Sequence, residues 1–206
     1  YGDVVEEVDA RTGQLLDRLK ALGIDRDTIV IFTSDNGPWM EGSSGPLRDR
    51  KGGAGWDGGY RVPFIAWGPG RIPAGRVSPG IAMNTDLLPT IAALAGKPPP
   101  AVELDGFDLS DQLLRGGKSP HDELVLFTDS KVTAIRTDRW KYVALSYYRT
   151  IALPLELIRG DGLFDVRADP SEAYNLASLH PDVLADMKAR LAKAKAKFES
   201  MPQAKR

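Results

Sequence analysis

Between residues 3 and 22, apolar side chains recur at Val5, Val8, Leu15, Leu16, Leu19 and Leu22. That spacing places them along one face of a helix. Gly23 follows at the position where a left-handed backbone closes a helix at least cost. The period then changes. Ile29-Val30-Ile31-Phe32 is an unbroken, β-branched run, which predicts a strand over 29–33 buried on both faces. Phe64-Ile65-Ala66-Trp67 predicts a second buried strand. Asn84 or Thr85 is placed to cap a helix that runs to Ala95 and closes at Gly96. Helix, strand, loop, strand and helix in this order predict the flank of a mostly parallel sheet.

Lys97-Pro98-Pro99-Pro100 is stiff, extended and helix-incompatible, and marks a boundary. Beyond it, Asp108–Leu114 predicts a short helix ended by Gly116-Gly117. Strand patterns follow over 124–128, 132–136 and 139–145, with Thr137-Asp138 as a hairpin turn and 163–166 as a fourth strand. Pro181 opens a last helix with Val183, Leu184, Met187, Leu191 and Phe198 on one face, and Lys193, Lys195 and Lys197 near its C-terminus suit the helix dipole. A tail after Met201 is expected to be disordered. The expected layout is 1–100 as an α/β portion, 101–120 as a connector, 121–200 as a small α+β subdomain and 201–206 as a tail.

Composition narrows the function classes. The chain has 206 residues, 42% of them apolar and 27% charged, with a net charge of −1. That balance gives no electrostatic footprint for nucleic acid or an anionic membrane. No apolar stretch approaches the ~20 residues of a membrane span. With no cysteine, disulfides and cysteine–zinc sites are excluded.

The chemistry concentrates around Thr33-Ser34-Asp35-Asn36-Gly37, at the carboxyl end of the first predicted strand, where α/β sheets collect their ligand sites. Asp35 and Asn36 are adjacent hard oxygen donors suited to Ca²⁺ or Mg²⁺; Asp-Asn-Gly is also ordinary turn chemistry. Six glycines between 45 and 59 make a loop whose backbone can approach a ligand closely. Lys51 lies within it, a compact cation suited to a sulfate or phosphate oxygen, or equally a solvated surface lysine.

Taken together, Asp-Asn-Gly at 35–37, Pro-Leu-Arg at 46–48, Lys51-Gly52, Trp56-Asp57-Gly58-Gly59-Tyr60-Arg61-Val62-Pro63, Asp86-Leu87-Leu88-Pro89-Thr90, Asp105-Gly106-Phe107, Arg139-Trp140-Lys141-Tyr142 and Asp169-Pro170-Ser171-Glu172 resemble the C-terminal half of a type I sulfatase. This is the arylsulfatase kind, within the alkaline phosphatase superfamily. The resemblance implies an α/β fold, the C-terminal part of an alkaline-phosphatase-like sulfatase, followed by a small antiparallel sheet with a C-terminal helix. It implies that Asp35 and Asn36 ligate a divalent cation, Ca²⁺ or alternatively Mg²⁺. It also implies that Asp35 serves as a base towards the nucleophile, and that Lys51 binds the sulfate and stabilises the leaving oxygen. The substrate would be a sulfate monoester, and the parent protein periplasmic, extracellular or lysosomal.

The same resemblance implies a formylglycine nucleophile in an upstream half. This chain carries no cysteine to supply it. Ser44-Gly45-Pro46-Leu47-Arg48 matches Ser-x-Pro-x-Arg literally, but it lies after the metal motif and lacks the family's continuation, so Ser44 is expected to be structural. His121 and His180 are expected at the surface or in caps. Tyr147, Tyr148, Arg149 and Arg159 lie in a segment that is either a surface loop or a substrate contact. The expected partner is the N-terminal half of the sulfatase, or a second copy through an exposed apolar sheet edge. Two other readings stay open: a phosphodiesterase or phosphonate hydrolase of the same superfamily, and a non-catalytic sulfatase-like binding module.

Overall fold

The computed structural model describes residues 1–128, 131–146 and 158–199, with side chains from 161 onward in the last segment. The chain forms two compact units that exchange chain. One comprises Tyr1–Asp35 with Val62–His121; the other comprises Asn36–Arg61 with the described residues from Asp122 onward.

The first unit holds α1 (Gly2–Ala21), β1 (Val30–Thr33), β2 (Phe64–Trp67), α3 (Leu87–Leu94) and α4 (Ser110–Arg115). Gly23 adopts φ +67° and closes α1 as its position predicts. β1 and β2 form a two-stranded sheet, but they pair antiparallel, with Val30 opposite Trp67 and Thr33 opposite Phe64. The parallel arrangement is therefore not what joins these two strands: between them the chain passes through the second unit and returns with its direction reversed. Nor are the strands buried on both faces. Phe32 and Ile65 are cross-strand partners, and they are 40% and 60% exposed. A two-stranded ribbon has two edges and one face to spare. No residue of α1 is buried.

The helix expected to start at Asn84 or Thr85 begins as a single 3₁₀ turn over Asn84–Asp86 and becomes α3 at Leu87. Neither Asn84 nor Thr85 caps it. Asn84 Nδ2 donates to the Ser34 carbonyl at 2.9 Å, and Asp86 takes over the helix start by accepting from Met83 N–H at 2.7 Å. Asp86 also accepts from Phe107 N–H at 2.8 Å and faces His121 Nε2 at 2.8 Å. His121 is thus buried, not at the surface, because a carboxylate excluded from water needs its donors supplied by the protein.

The second unit is a four-stranded antiparallel sheet in the order β3-β4-β5-β6, with β3 Leu124–Thr128, β4 Lys131–Arg136, β5 Trp140–Ser146 and β6 Ile158–Asp165. Thr137 N–H donates to the Trp140 carbonyl at 2.7 Å, which closes the predicted hairpin with its turn at Asp138-Arg139, one residue later than the sequence pattern places it. On one face lies α5 (Pro181–Phe198), whose Met187, Leu191 and Ala194 pack with Val132, Ile135, Tyr142 and Leu163. His180 is the N-cap residue of α5 but makes no side-chain cap bond; its ring packs on Trp140, 5.0 Å between centroids. The other face is covered by the glycine-rich segment itself: Trp56 packs with Leu126, Ala134, Val143, Phe164 and Val166. The sheet is therefore buried on both faces. The residues 147–150 and the side chain of Arg159, read from sequence as a possible substrate contact, lie outside the described residues, as does the tail.

Candidate active site

The segment 36–61 is a wrapped loop with one helical turn, α2 (Asp57–Tyr60). It closes on itself through backbone bonds. Gly58 N–H donates to the Arg48 carbonyl at 2.8 Å, Gly59 N–H to Trp56 at 3.0 Å and Gly53 N–H to Arg50 at 2.9 Å. Two contacts join its ends: Gly37 N–H donates to the Gly59 carbonyl at 3.0 Å, and Lys51 N–H to Pro38 at 2.9 Å. The closeness requires glycine. A Cβ on Gly37 would stand 1.8 Å from the Gly58 carbonyl oxygen, and one on Gly58 would stand 2.2 Å from that of Asp49. Asn36-Gly37-Pro38 and Lys51, separated in sequence, thus lie together in the second unit.

Asp35 is the last residue of the first unit's opening segment and is peptide-bonded to Asn36. Ser34 Oγ donates to its carboxylate at 3.3 Å. Asn36 Nδ2 donates to the Gly37 carbonyl at 2.9 Å, which fixes the carboxamide by its nitrogen. Lys51 is exposed, and its ammonium makes no ion pair among the described residues. Among those residues no group of three or more His, Cys, Asp or Glu stands close enough to hold a metal. A carboxylate and a carboxamide fit a hard cation by donor type, but supply only two of the six to eight oxygens Ca²⁺ takes. Ser44 Oγ donates within its own loop, to the carbonyls of Asp49 at 2.8 Å and Leu47 at 3.0 Å, the structural role expected of it.

Behind the loop lies a buried charge cluster that sequence reading does not assemble. Arg136 and Lys141 are direct cross-strand partners in β4 and β5. Two cations side by side repel, and Lys141 is fully buried. The loop supplies the counter-charge. Lys141 Nζ lies 2.7 Å from Asp57 Oδ1 and 2.7 Å from Glu172 Oε1, and Arg136 Nε lies 3.6 Å from Asp57 Oδ2. Glu172 Oε2 accepts Asp57 N–H at 2.8 Å, and the Glu172 carbonyl accepts Arg48 Nη1 at 2.9 Å. The Arg48 guanidinium stacks over Trp56, 3.6 Å from the ring centroid, while Trp56 Nε1 donates to Ser146 Oγ at 2.6 Å. Burial pushes the Asp57 carboxyl upward, but Lys141 and Arg136 more than offset it and hold it below the usual range. For Glu172 burial dominates, with the Asp57 charge adding to it, and its carboxyl sits above the usual range. The turn predicted at 137–138 would have set Arg136 opposite Arg139; the observed turn is centred one residue later, on Asp138-Arg139, and it is this register that sets Arg136 opposite Lys141, a pair that demands an anion.

The "Sulfatase" family model matches residues 1–97. Human arylsulfatase A is 40% identical over 91% of this chain and 42% of its own length. The N-acetylgalactosamine-6-sulfatase of Canis lupus familiaris is 41% identical over 72% of this chain and 28% of its own. A sulfatase crystal structure from Pseudoalteromonas sp. superposes with a TM-score of 0.86 at 28% identity, covering 98% of this chain and 44% of that one. The chain spans less than half the length of these relatives.

Proposed function

Because the chain belongs to the sulfatase family, we propose that it supplies one side of a sulfate-ester hydrolase site. The observation that carries this reading is the closed loop that holds exposed Lys51 against Asn36-Gly37-Pro38. In this reading the Lys51 ammonium binds a sulfate oxygen and stabilises charge developing on the leaving oxygen, the kind of aimed cation that electrostatic catalysis requires. Asp35 and Asn36 hold the divalent cation, Ca²⁺ or Mg²⁺, and Asp35 takes a proton from the nucleophile. A bound cation supplies Lewis-acid polarisation of the sulfuryl group. The nucleophile, a formylglycine by resemblance, and the remaining metal ligands lie on sulfatase sequence outside these 206 residues. That sequence also covers the apolar faces of the first unit: Val4 is 64% exposed, and Leu88 and Ile91 53% each. Exposed apolar side chains about one turn apart, Val4 with Val8 on α1 and Leu88 with Ile91 on α3, support an interaction surface.

The names of the relatives cover aryl and amino-sugar sulfate esters, so both 4-nitrophenyl sulfate and a 6-sulfated N-acetylhexosamine serve as test substrates. The complete enzyme hydrolyses at least one of them in a divalent-cation-dependent manner and loses turnover on Lys51→Ala. The 206-residue chain alone turns over neither. Rapid hydrolysis by the chain alone, or an unimpaired Lys51→Ala enzyme, refutes the assignment.

A further inference from the structure

We propose that Glu172, acting with Lys141 and Asp57, is the positioning device that fixes the loop bearing Lys51. This rests on the reading of Lys51 given above.

Glu172 grips the loop at three points. Oε2 accepts Asp57 N–H at 2.8 Å, Oε1 lies 2.7 Å from the Lys141 ammonium that also binds the Asp57 carboxylate, and the main-chain carbonyl accepts Arg48. Arg48 and Asp57 flank Lys51 on either side. The Arg48 carbonyl in turn accepts Gly58 N–H, so the base of the loop is closed between the two gripped residues. From there the bonds run on to Lys51: Gly59 accepts from Gly37, and Pro38 accepts from Lys51.

Two observations separate this from ordinary packing. First, Glu172 is a non-glycine residue at φ +51°, a conformation retained only where surrounding contacts over-determine it. Second, the sheet already has an apolar core on both faces. Apolar residues in place of the buried charges would serve stability as well or better, since desolvating an ion pair costs about as much as it returns. What the charges add is geometry. A carboxylate bound at both oxygens, with its own carbonyl engaged, leaves the loop one position over the sheet.

Hydrogen exchange on the whole chain tests this, comparing the amides of Gly37, Lys51, Gly53, Gly58 and Gly59 with those of the β4–β5 ladder. Glu172→Ala speeds the loop amides about tenfold or more and the ladder amides less than about threefold, as expected for local rather than global opening. Glu172→Gln keeps an oxygen for Asp57 N–H and returns the loop to within about threefold of the native chain. Equal acceleration of loop and ladder overturns the proposal, because it makes the cluster a matter of general stability. An unchanged loop overturns it too. If Glu172→Ala does not fold, Asp57→Asn, nearly isosteric, gives the same comparison: loop amides about threefold faster with the ladder unmoved support it, and an unmoved loop refutes it. Turnover by the complete Lys51→Ala enzyme reads the sulfatase assignment independently, so failure of one is not failure of the other.

Discussion

Replacing Lys141 by methionine removes the cation and keeps the length of the side chain. In the native protein that ammonium touches two carboxylates, each at 2.7 Å, and all three groups are buried. The contact to Asp57 is a hydrogen bond between charged groups, worth about 1.5–3 kcal/mol, and the contact to Glu172 is a close ion pair. Removing the shared cation leaves two buried carboxylates uncompensated, a loss of roughly 3–5 kcal/mol. Protonation limits the loss, and the pH dependence follows from it. Glu172 already has its carboxyl raised by burial. Asp57 is held low against burial chiefly by Lys141, so in the variant its carboxyl also rises. A carboxyl raised in the folded state contributes stability below its unfolded pKa and loses it as pH rises through the folded pKa. The deficit of Lys141→Met is therefore full near neutral pH and shrinks as pH falls towards and below the ordinary carboxylate range. Urea unfolding followed through Trp56 and Trp140 fluorescence at about pH 7.5 and about pH 5 measures it. A deficit under about 1 kcal/mol at the higher pH, or one that grows on acidification, refutes the picture of two carboxylates dependent on one lysine.

Gly58→Ala drives a Cβ to 2.2 Å from the Asp49 oxygen and 2.4 Å from that of Arg48; both are main-chain atoms, so the loop itself must shift, at a cost of about 1–3 kcal/mol in thermal or urea unfolding. Lys51→Ala leaves that unfolding midpoint in place, because the side chain is exposed, yet lowers kcat for sulfate esters in the complete enzyme by about 10²–10³-fold if it stabilises the leaving oxygen. Asp86→Ala strips the acceptor from Met83 N–H, Phe107 N–H and His121. It destabilises the first unit by about 3 kcal/mol or more, read in exchange of the Phe107 amide. Leu191→Ala opens a cavity under α5 and costs about 2–5 kcal/mol.

Local signals carried most of the elements. The hairpin between β4 and β5, to within one residue, the helix from Pro181 and the left-handed closures at Gly23, Gly96 and Gly116 each depend on a few neighbouring residues, and composition reports them. Family, and with it the fold class, was legible through the resemblance of Asp35-Asn36-Gly37, Lys51-Gly52 and Trp56–Pro63 to sulfatase motifs. The antiparallel pairing of β1 and β2 was not, because strand direction depends on the path of the intervening 30 residues rather than on either strand's pattern. His121 read as a surface histidine because its partner Asp86 is 35 residues away. Nothing in the 139–145 pattern marked Lys141 as buried, because its counter-ions Asp57 and Glu172 come from two distant segments. Helical and strand periods describe what a face is made of; they are silent about which far segment will cover it.

The bond between Asp57 and Glu172 spans 115 residues of sequence, and that separation has a consequence on the ribosome. At about 5–20 residues per second, Asp57 leaves the exit tunnel roughly 6 to 23 seconds before Glu172 does. Throughout that interval the lysine loop has been made but lacks the carboxylate that completes its clamp, and until β3–β5 emerge its tryptophan stands open to chaperones, proteases and modifying enzymes. The part of the chain closest to the proposed chemistry is thus among the last to acquire its shape.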